Sequence, residues 1–387
     1  MYTLLLAVIY IAFISLGLPD TMLGSAWPSM QPALAVPVSY AGVLSMIIAA
    51  GTIVSSFFSG KVIAKLGTGK VTAISVAMTC AALFGFSIST SFFQLCLWGI
   101  PYGLGAGSVD AALNNFVALK YKARHMSWLH CFWGVGASLG PYIMGFYLTR
   151  GYEWNMGYQV IGIIQLVLTI MLFLSLPLWK EKKTESQEEV YAKSIPFSAV
   201  IRMKGAKEVL LSFLAYCGVE TTTGLWAASY MVLFRRIDTG TAAKWASLFY
   251  VGITIGRLIS GFVTNKLGDQ NMVRMGEVLM GIGIVLIILP IGNFALFAGL
   301  ILVGLGCAPV YPSLLHATPN HFSKEASQSM MGIQMACAYI GSTFLPPLFG
   351  LLQQWIGISF YPFYLLIFLI VMIIMVEKIQ KAIGDKS

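Results

Sequence analysis

Ser59-Gly-Lys-Val-Ile-Ala-Lys-Leu-Gly67 returns 201 residues later as Ser260-Gly-Phe-Val-Thr-Asn-Lys-Leu-Gly268, with six of the nine positions identical. In the same register Gly51 meets Gly252, while Gly103-Leu-Gly105 and Val109 meet Gly304-Leu-Gly306 and Val310. At a shift of 200, Asp20, Thr21 and Gly24 overlie Glu220, Thr221 and Gly224, so each copy carries one acid at the same place. The chain reads as two halves of one build.

What surrounds these repeats sets the solvent. A chain of 387 residues that is 58% hydrophobic and 10% charged, with mean hydropathy +0.81, is not a soluble domain. Apolar runs of spanning length fall near 3–25, 39–60, 71–89, 92–119, 127–149, 157–179, 208–234, 243–264, 272–290, 294–316, 327–353 and 357–376. The expectation is an all-α membrane protein of 12 transmembrane helices in two pseudosymmetric six-helix bundles. The first run lacks a basic flank and a small-residue cleavage site, so it reads as a retained helix. The only long polar segment divides the runs six and six, predicting bundles at 1–179 and 208–387 joined by a solvated linker at 180–207.

Lys and Arg orient the chain. With the N-terminus inside, 19 of the 24 fall on the cytoplasmic side, 4 fall opposite, and Arg257 lies within a span. Both termini are expected to be cytoplasmic. The net charge of +9 is then a topology signal and an attraction to anionic lipid, not a nucleic-acid footprint. The six cysteines lie in spans without Cys-x-x-Cys spacing and read as packing residues. No metal constellation, nucleotide loop or nucleophile motif is present, so neither an enzyme nor a cofactor is expected.

Against this apolar background the ionisable side chains stand out. In Gly99 to Asn115, helical spacing puts Gly103, Gly107, Asp110 and Asn114 on one face, and Asp110 is the sole acidic or basic residue of the run from Phe92 to Leu119. A charge at such depth costs about 2.5–3.5 kcal/mol and is expected to face a water-filled cavity or a partner. Asp20, Glu220 and Arg257 also lie deep, whereas Glu277 is expected near enough to a helix end to be solvated. Three acids against one base leave carboxylates unpaired, and an unpaired buried carboxylate takes up a proton instead of staying charged. A structural role, each acid bonding a neighbouring helix, stays open. Arg257, about 13 Å of helix from the Lys266 end, has three readings: pairing with Glu220, binding an anionic cargo group, or snorkelling.

Parallel duplication of six helices marks transporters whose halves rock around a midplane site. The first copy's Gly60, Lys65, Gly67 and Lys70 fit the loop between helices 2 and 3 of the major facilitator superfamily, which the chain resembles. Ala64 and Asn265 stand where that loop has an Asp, so its salt-bridge lock between halves is not carried over. Gly17-Leu-Pro-Asp-Thr21, Val109-Asp-Ala-Ala-Leu-Asn-Asn115, Leu129-His-Cys-Phe-Trp-Gly-Val-Gly-Ala-Ser-Leu-Gly-Pro141 and Tyr216-Cys-Gly-Val-Glu220 resemble its fucose-permease-related branch. The resemblance implies a major facilitator fold and proton-coupled alternating access. It also implies a small-molecule, sugar-like cargo, with protons and the bilayer as the other partners, in a monomer of the cell membrane. Compact loops suggest a bacterial source.

By the same resemblance Asp110, followed four residues later by Asn114, matches the protonation site of fucose-type symporters, with Glu220 and Asp20 as further coupling candidates. His130 and Trp133 correspond to sugar-contacting positions that are amides in the fucose permease. Asp20, Asn114, Glu220 and Arg257 join them as candidate cargo contacts, and Trp226, Tyr230, Tyr311, Gln334 and Tyr339 add stacking faces and polar groups. Two other functions fit the same fold expectation: an exporter of amphipathic drugs or lipids, and a membrane sensor that binds solute without moving it.

Overall fold

The computed structural model describes residues 2–121, 123–179, 200–322 and 324–383, so most of the expected linker, residues 180–199, lies outside the described residues. Everything that crosses a bilayer must satisfy its backbone internally, and among the described residues the regular structure is helical throughout. The helices are α1 (Tyr2–Asp20), α2 (Met22–Ala33), α3 (Tyr40–Leu66), α4 (Thr68–Ser87), α5 (Phe92–Lys120), α6 (Ala123–Thr149) and α7 (Trp154–Ser175) in the first half. The second half has α8 (Ala206–Leu233), α9 (Thr239–Ile288), α10 (Asn293–His316), the one-turn α11 (Thr318–His321), α12 (Lys324–Ile356) and α13 (Tyr361–Ile383). Taking α1 with α2 as one span and α9 as two gives the expected 12 crossings, in two six-helix halves.

The boundaries differ from expectation in informative ways. The first span runs on to Ala33 and is broken at Thr21, whose hydroxyl donates 2.8 Å to the Ala137 carbonyl of α6. The runs expected at 243–264 and 272–290 form one 50-residue element, α9, with Gly268 non-helical inside it. α8 begins at Ala206 and α12 extends to Lys324 and Ile356, because helices continue past the apolar stretch that hydropathy detects.

The repeated sequence gives repeated geometry. Gly67 (φ 81°, ψ 154°) and Gly268 (φ 74°, ψ 162°) turn the chain at the same point of each copy, in a region L side chains rarely enter, with nothing within 4 Å of where a Cβ would stand. The helix crossings repeat as well. A Cβ on Gly51 would lie 3.1 Å from the Gly103 Cα, and one on Gly252 would lie 3.1 Å from the Gly304 Cα. Close backbone approach through small residues is how membrane helices associate where lipid removes the hydrophobic incentive.

Among the described residues, eight spans are long and apolar enough to cross a membrane by composition alone. Exposed side chains such as Phe57 (81%), Phe262 (75%) and Trp355 (87%) clothe the outside in apolar surface.

Successive spans alternate in direction, so one face of the molecule carries both termini and the other is the far face. The halves touch mainly toward the far face. A Cβ on Gly24 of α2 would collide with the Gly224 carbonyl of α8, and these are the very positions that the repeat overlays. Gly145 of α6 packs against the Gly240 carbonyl (2.6 Å) and the Lys244 nitrogen (2.7 Å) of α9, measured from an added Cβ. Gly42 of α3 abuts Pro347 of α12, and Gln354 donates to the Ser39 hydroxyl.

Candidate functional site

Asp20 is the last residue of α1, just before the break at Thr21. It is exposed although it sits midway along its span beneath the contacts that close the far face. Such a side chain faces accessible space inside the molecule. Two donors of its own half hold it: the Tyr102 hydroxyl at 3.3 Å and the Trp133 indole N–H at 3.0 Å.

Trp133 carries the site across to the other half. The Arg257 guanidinium carbon lies 5.4 Å from the centre of its ring, and the Tyr250 ring meets it edge-on at 6.5 Å. Arg257 in turn approaches the Glu220 carboxylate at 3.6 Å, with the two side chains 19% and 20% exposed. That distance is an ion pair without a hydrogen bond. A continuous line, Asp20 to Trp133 to Arg257 to Glu220, thus joins the two pseudosymmetric acids through one aromatic ring and one cation. Of the readings open for Arg257, pairing with Glu220 is the one present.

Asp110 stands apart from this line. It lies eight residues beyond Tyr102 on α5, about 12 Å nearer the termini face. The Asn114 amide one turn on donates to its carboxylate at 2.8 Å and to its backbone carbonyl at 3.0 Å. Both side chains are half-buried. Asp20, Tyr311 and Tyr339 all lie within range of its charge.

The remaining candidates divide. His130 is half-buried one turn before Trp133, edge-on to Phe13 at 5.8 Å and within range of the Arg257 charge. Tyr311 is half-buried with its hydroxyl 2.6 Å from the Met335 sulfur, and Tyr339, one turn past Met335, is exposed. Trp226, Tyr230 and Gln334 are placed elsewhere, each at 1% exposure or less. The Trp226 indole donates to the Pro346 carbonyl at 2.8 Å, Tyr230 packs on Tyr361 at 5.1 Å, and Gln334 is paired with Thr318 at 2.9 Å. These three hold α8, α12 and their neighbours together and show the cavity no free face.

Glu277 requires a correction. Expected to be solvated, it is 4% exposed, and it lies on the outer groove between α9 and α13. Depth along a helix does not say which way the side chain turns. Tyr102 and Tyr250 were missed by sequence reasoning. Tyr102 lay inside the Gly99–Asn115 stretch but off the Asp110 face, and Tyr250 carries no sequence signal beyond its place two residues before the repeated Gly252.

The described residues hold no group of three or more His, Cys, Asp or Glu side chains able to hold a metal ion. The arrangement can instead bind a polar solute by hydrogen bonds around Asp20 and Trp133, and hold a proton on a half-buried carboxylate nearby.

The sequence model of the Major Facilitator Superfamily matches residues 9–243 and 209–379. The glucose/mannose transporter GlcP of Bacillus subtilis is 23% identical over 314 residues, covering 79% of this chain and 77% of that protein. The crystal structure of the nucleoside transporter NupG superposes with TM-score 0.79 at 14% identity, covering 97% of this chain and 98% of that one. The E. coli fucose:proton symporter FucP superposes with TM-score 0.63 at 16% identity over 97% of this chain and 98% of that one.

Proposed function

This chain belongs to the major facilitator superfamily, and from that premise we propose that it is a secondary active transporter that carries a small polar solute, a sugar most of all, by proton-coupled alternating access. The observation that carries the reading is the line from Asp20 through Trp133 and Arg257 to Glu220, which joins both halves at mid-depth. A sugar-transporting relative and a symporter of the same fold support the choice of cargo and coupling.

In this proposal the halves, 1–179 and 208–387, rock about the cavity while 180–207 tethers them in the cytoplasm of a monomer in the cell membrane. In this reading the bias of Lys and Arg puts the termini face inside, and the contacts between the halves close the far face. Cargo hydroxyls bond to Asp20, Trp133, His130 and Asn114 in the first half and to the Glu220–Arg257 pair, Tyr311 and Tyr339 in the second. Arg257 is the pivot, because its ion pair lies in one half and its aromatic partner in the other. Separating the far face moves Arg257 off Trp133, and a cargo touching both replaces that contact.

Asp110 and Asn114 lie on the side of the cavity nearer the inside, the place where a proton taken up outside is released. A neutral Asp110 removes the cost of carrying an unpaired charge through the occluded state. Asp20 and Glu220 share the coupling as charges that respond to cargo.

Counterflow in liposomes holding the purified protein tests the cargo assignment. A panel of uncharged sugars and nucleosides is expected to yield one that exchanges, with Trp133→Phe weakening its apparent affinity about tenfold through loss of one charged hydrogen bond. Exchange of none of them, with binding of an amphipathic cation instead, would move the protein to the exporter class. Binding of a sugar without exchange would make it a sensor.

A further inference from the structure

Among the described residues, the positions with positive φ are six glycines and two others, Ala35 (52°) and Arg236 (59°). A side chain is penalised in this region, which is why glycine ordinarily occupies it. The two exceptions stand 201 residues apart, the interval of the repeat. Each closes the end of the first span of its half on the far face, and matching bonds build each turn. In the first half the Leu34 N–H donates to the Met30 carbonyl and the Val36 N–H to that of Gln31; in the second the Arg235 N–H donates to Tyr230 and the Ile237 N–H to Met231. The second turn holds one residue more, and there the shift between the halves passes from 200 to 201. Ala35 and Arg236 share no side-chain chemistry, so what recurs is the backbone conformation.

What each turn leads into recurs as well. Four residues on, Ser39 lies against Gly350 of α12, and Gly240 lies against Thr149 of α6. A Cβ on Gly350 would stand 3.5 Å from the Ser39 Cα, and one on Gly240 would stand 2.9 Å from the Thr149 Cα. Ser39 and Gly240 are equivalent under the repeat, as are Thr149 and Gly350, so the far face is shut by one clasp used twice. An unfavourable φ persists only where the surroundings impose it. Helix-end bonds hold one side of each turn, joined in the first half by the Gln31 amide donating to the Val36 carbonyl at 2.6 Å, and the clasp holds the other. Three residues separate each strained residue from its clasp, so parting the halves pulls directly on the turn. We infer that Ala35 and Arg236 are a matched pair of loaded turns, strained while the far face is shut and relaxed when it opens, which bias the protein toward opening. The bias rests on the proposed rocking of the halves, and on neither cargo nor proton.

Ser39, 6% exposed within its clasp, supplies the reporter. With the six native cysteines replaced and Ser39→Cys introduced, the rate of maleimide labelling of the full chain in nanodiscs follows the fraction of molecules open on the far face. Ala35→Gly and Arg236→Gly should each slow labelling about fivefold by relieving the shut state. The extra freedom of glycine in the unfolded chain does not enter, because both states compared are folded. Ala35→Val, whose branched side chain suits the turn less, should speed labelling. Arg236→Ala, which loses the charge and keeps the penalty, should match the parent. Arg236 belongs to the other clasp, so its effect at residue 39 reports the halves moving as bodies. Unchanged or faster labelling in either glycine variant, or slowing by Arg236→Ala equal to that by Arg236→Gly, would overturn the inference. Labelling in no variant at all, Gly24→Ala included, would overturn the rocking itself.

Discussion

Replacing Gly24 by Ala should drive the molecule away from the conformation described here. The added methyl carbon would collide with the Gly224 carbonyl oxygen and stand 2.9 Å from the Leu225 Cα and 3.0 Å from the Leu225 carbonyl oxygen. All three obstacles are backbone, so no side-chain rotation relieves them and α2 and α8 must part. Overpacking of this kind costs about 1–3 kcal/mol. The cost falls only on the state in which the far face is closed. A two-state equilibrium then shifts toward far-face opening by about 5- to 150-fold. Electron–electron resonance between labels at Tyr152→Cys and Ile291→Cys, exposed loop residues of the two halves on the far face, reads the shift once the six native cysteines are replaced. The longer distance should grow in Gly24→Ala, while Gly281→Ala should match the parent. Unchanged distances in a folded, monodisperse Gly24→Ala protein would refute the reasoning.

Further expectations concern the charges and the turns. At 3.6 Å and an effective dielectric near 20, Glu220 and Arg257 attract by about 5 kcal/mol before desolvation. A double-mutant cycle with Glu220→Gln and Arg257→Gln, followed by thermal unfolding, should give a coupling of about 1–3 kcal/mol; a coupling near zero would separate the two groups. Gly67→Ala and Gly268→Ala should each cost about 1–2 kcal/mol, purely from the backbone conformation, since the space around both is empty. Asp238 caps α9 by accepting from the Thr241 backbone N–H at 3.0 Å, and bonding to Thr241 holds its carboxyl below the usual carboxylate range. A depressed folded value means its contribution is full above the unfolded value near 3.9 and is lost as pH falls through the folded value. Asp238→Ala should therefore destabilise by about 1 kcal/mol at neutral pH and by less at pH 3, as melting curves at the two pH values would report.

The repeat carried most of the architecture. Gly67 and Gly268 are legible because a positive-φ turn leaves few residue choices, and Asp20, Glu220 and Asp110 are legible because an acid is conspicuous in an apolar run. The aromatic and amide candidates were not separable in this way. In soluble helices a polar face and an apolar face distinguish solvent from core, but here lipid and core are both apolar. Trp226 inside the second half and Trp133 on the cavity look alike in sequence. Glu277 illustrates the same blindness to direction: its depth was readable, its turn toward the groove with α13 was not. The break at Thr21 follows Pro19, which a sequence shows, but the Thr21 hydroxyl bonds to another helix 116 positions away, which no local pattern encodes.

The central claim is that moving cargo moves protons through Asp110. It is tested most directly by measuring cargo-induced proton flux in liposomes holding the parent protein or Asp110→Asn. The account predicts proton entry with cargo in the parent, and in Asp110→Asn no proton flux while cargo counterflow persists. Cargo uptake without proton movement in the parent, or proton flux undiminished in Asp110→Asn, would contradict it.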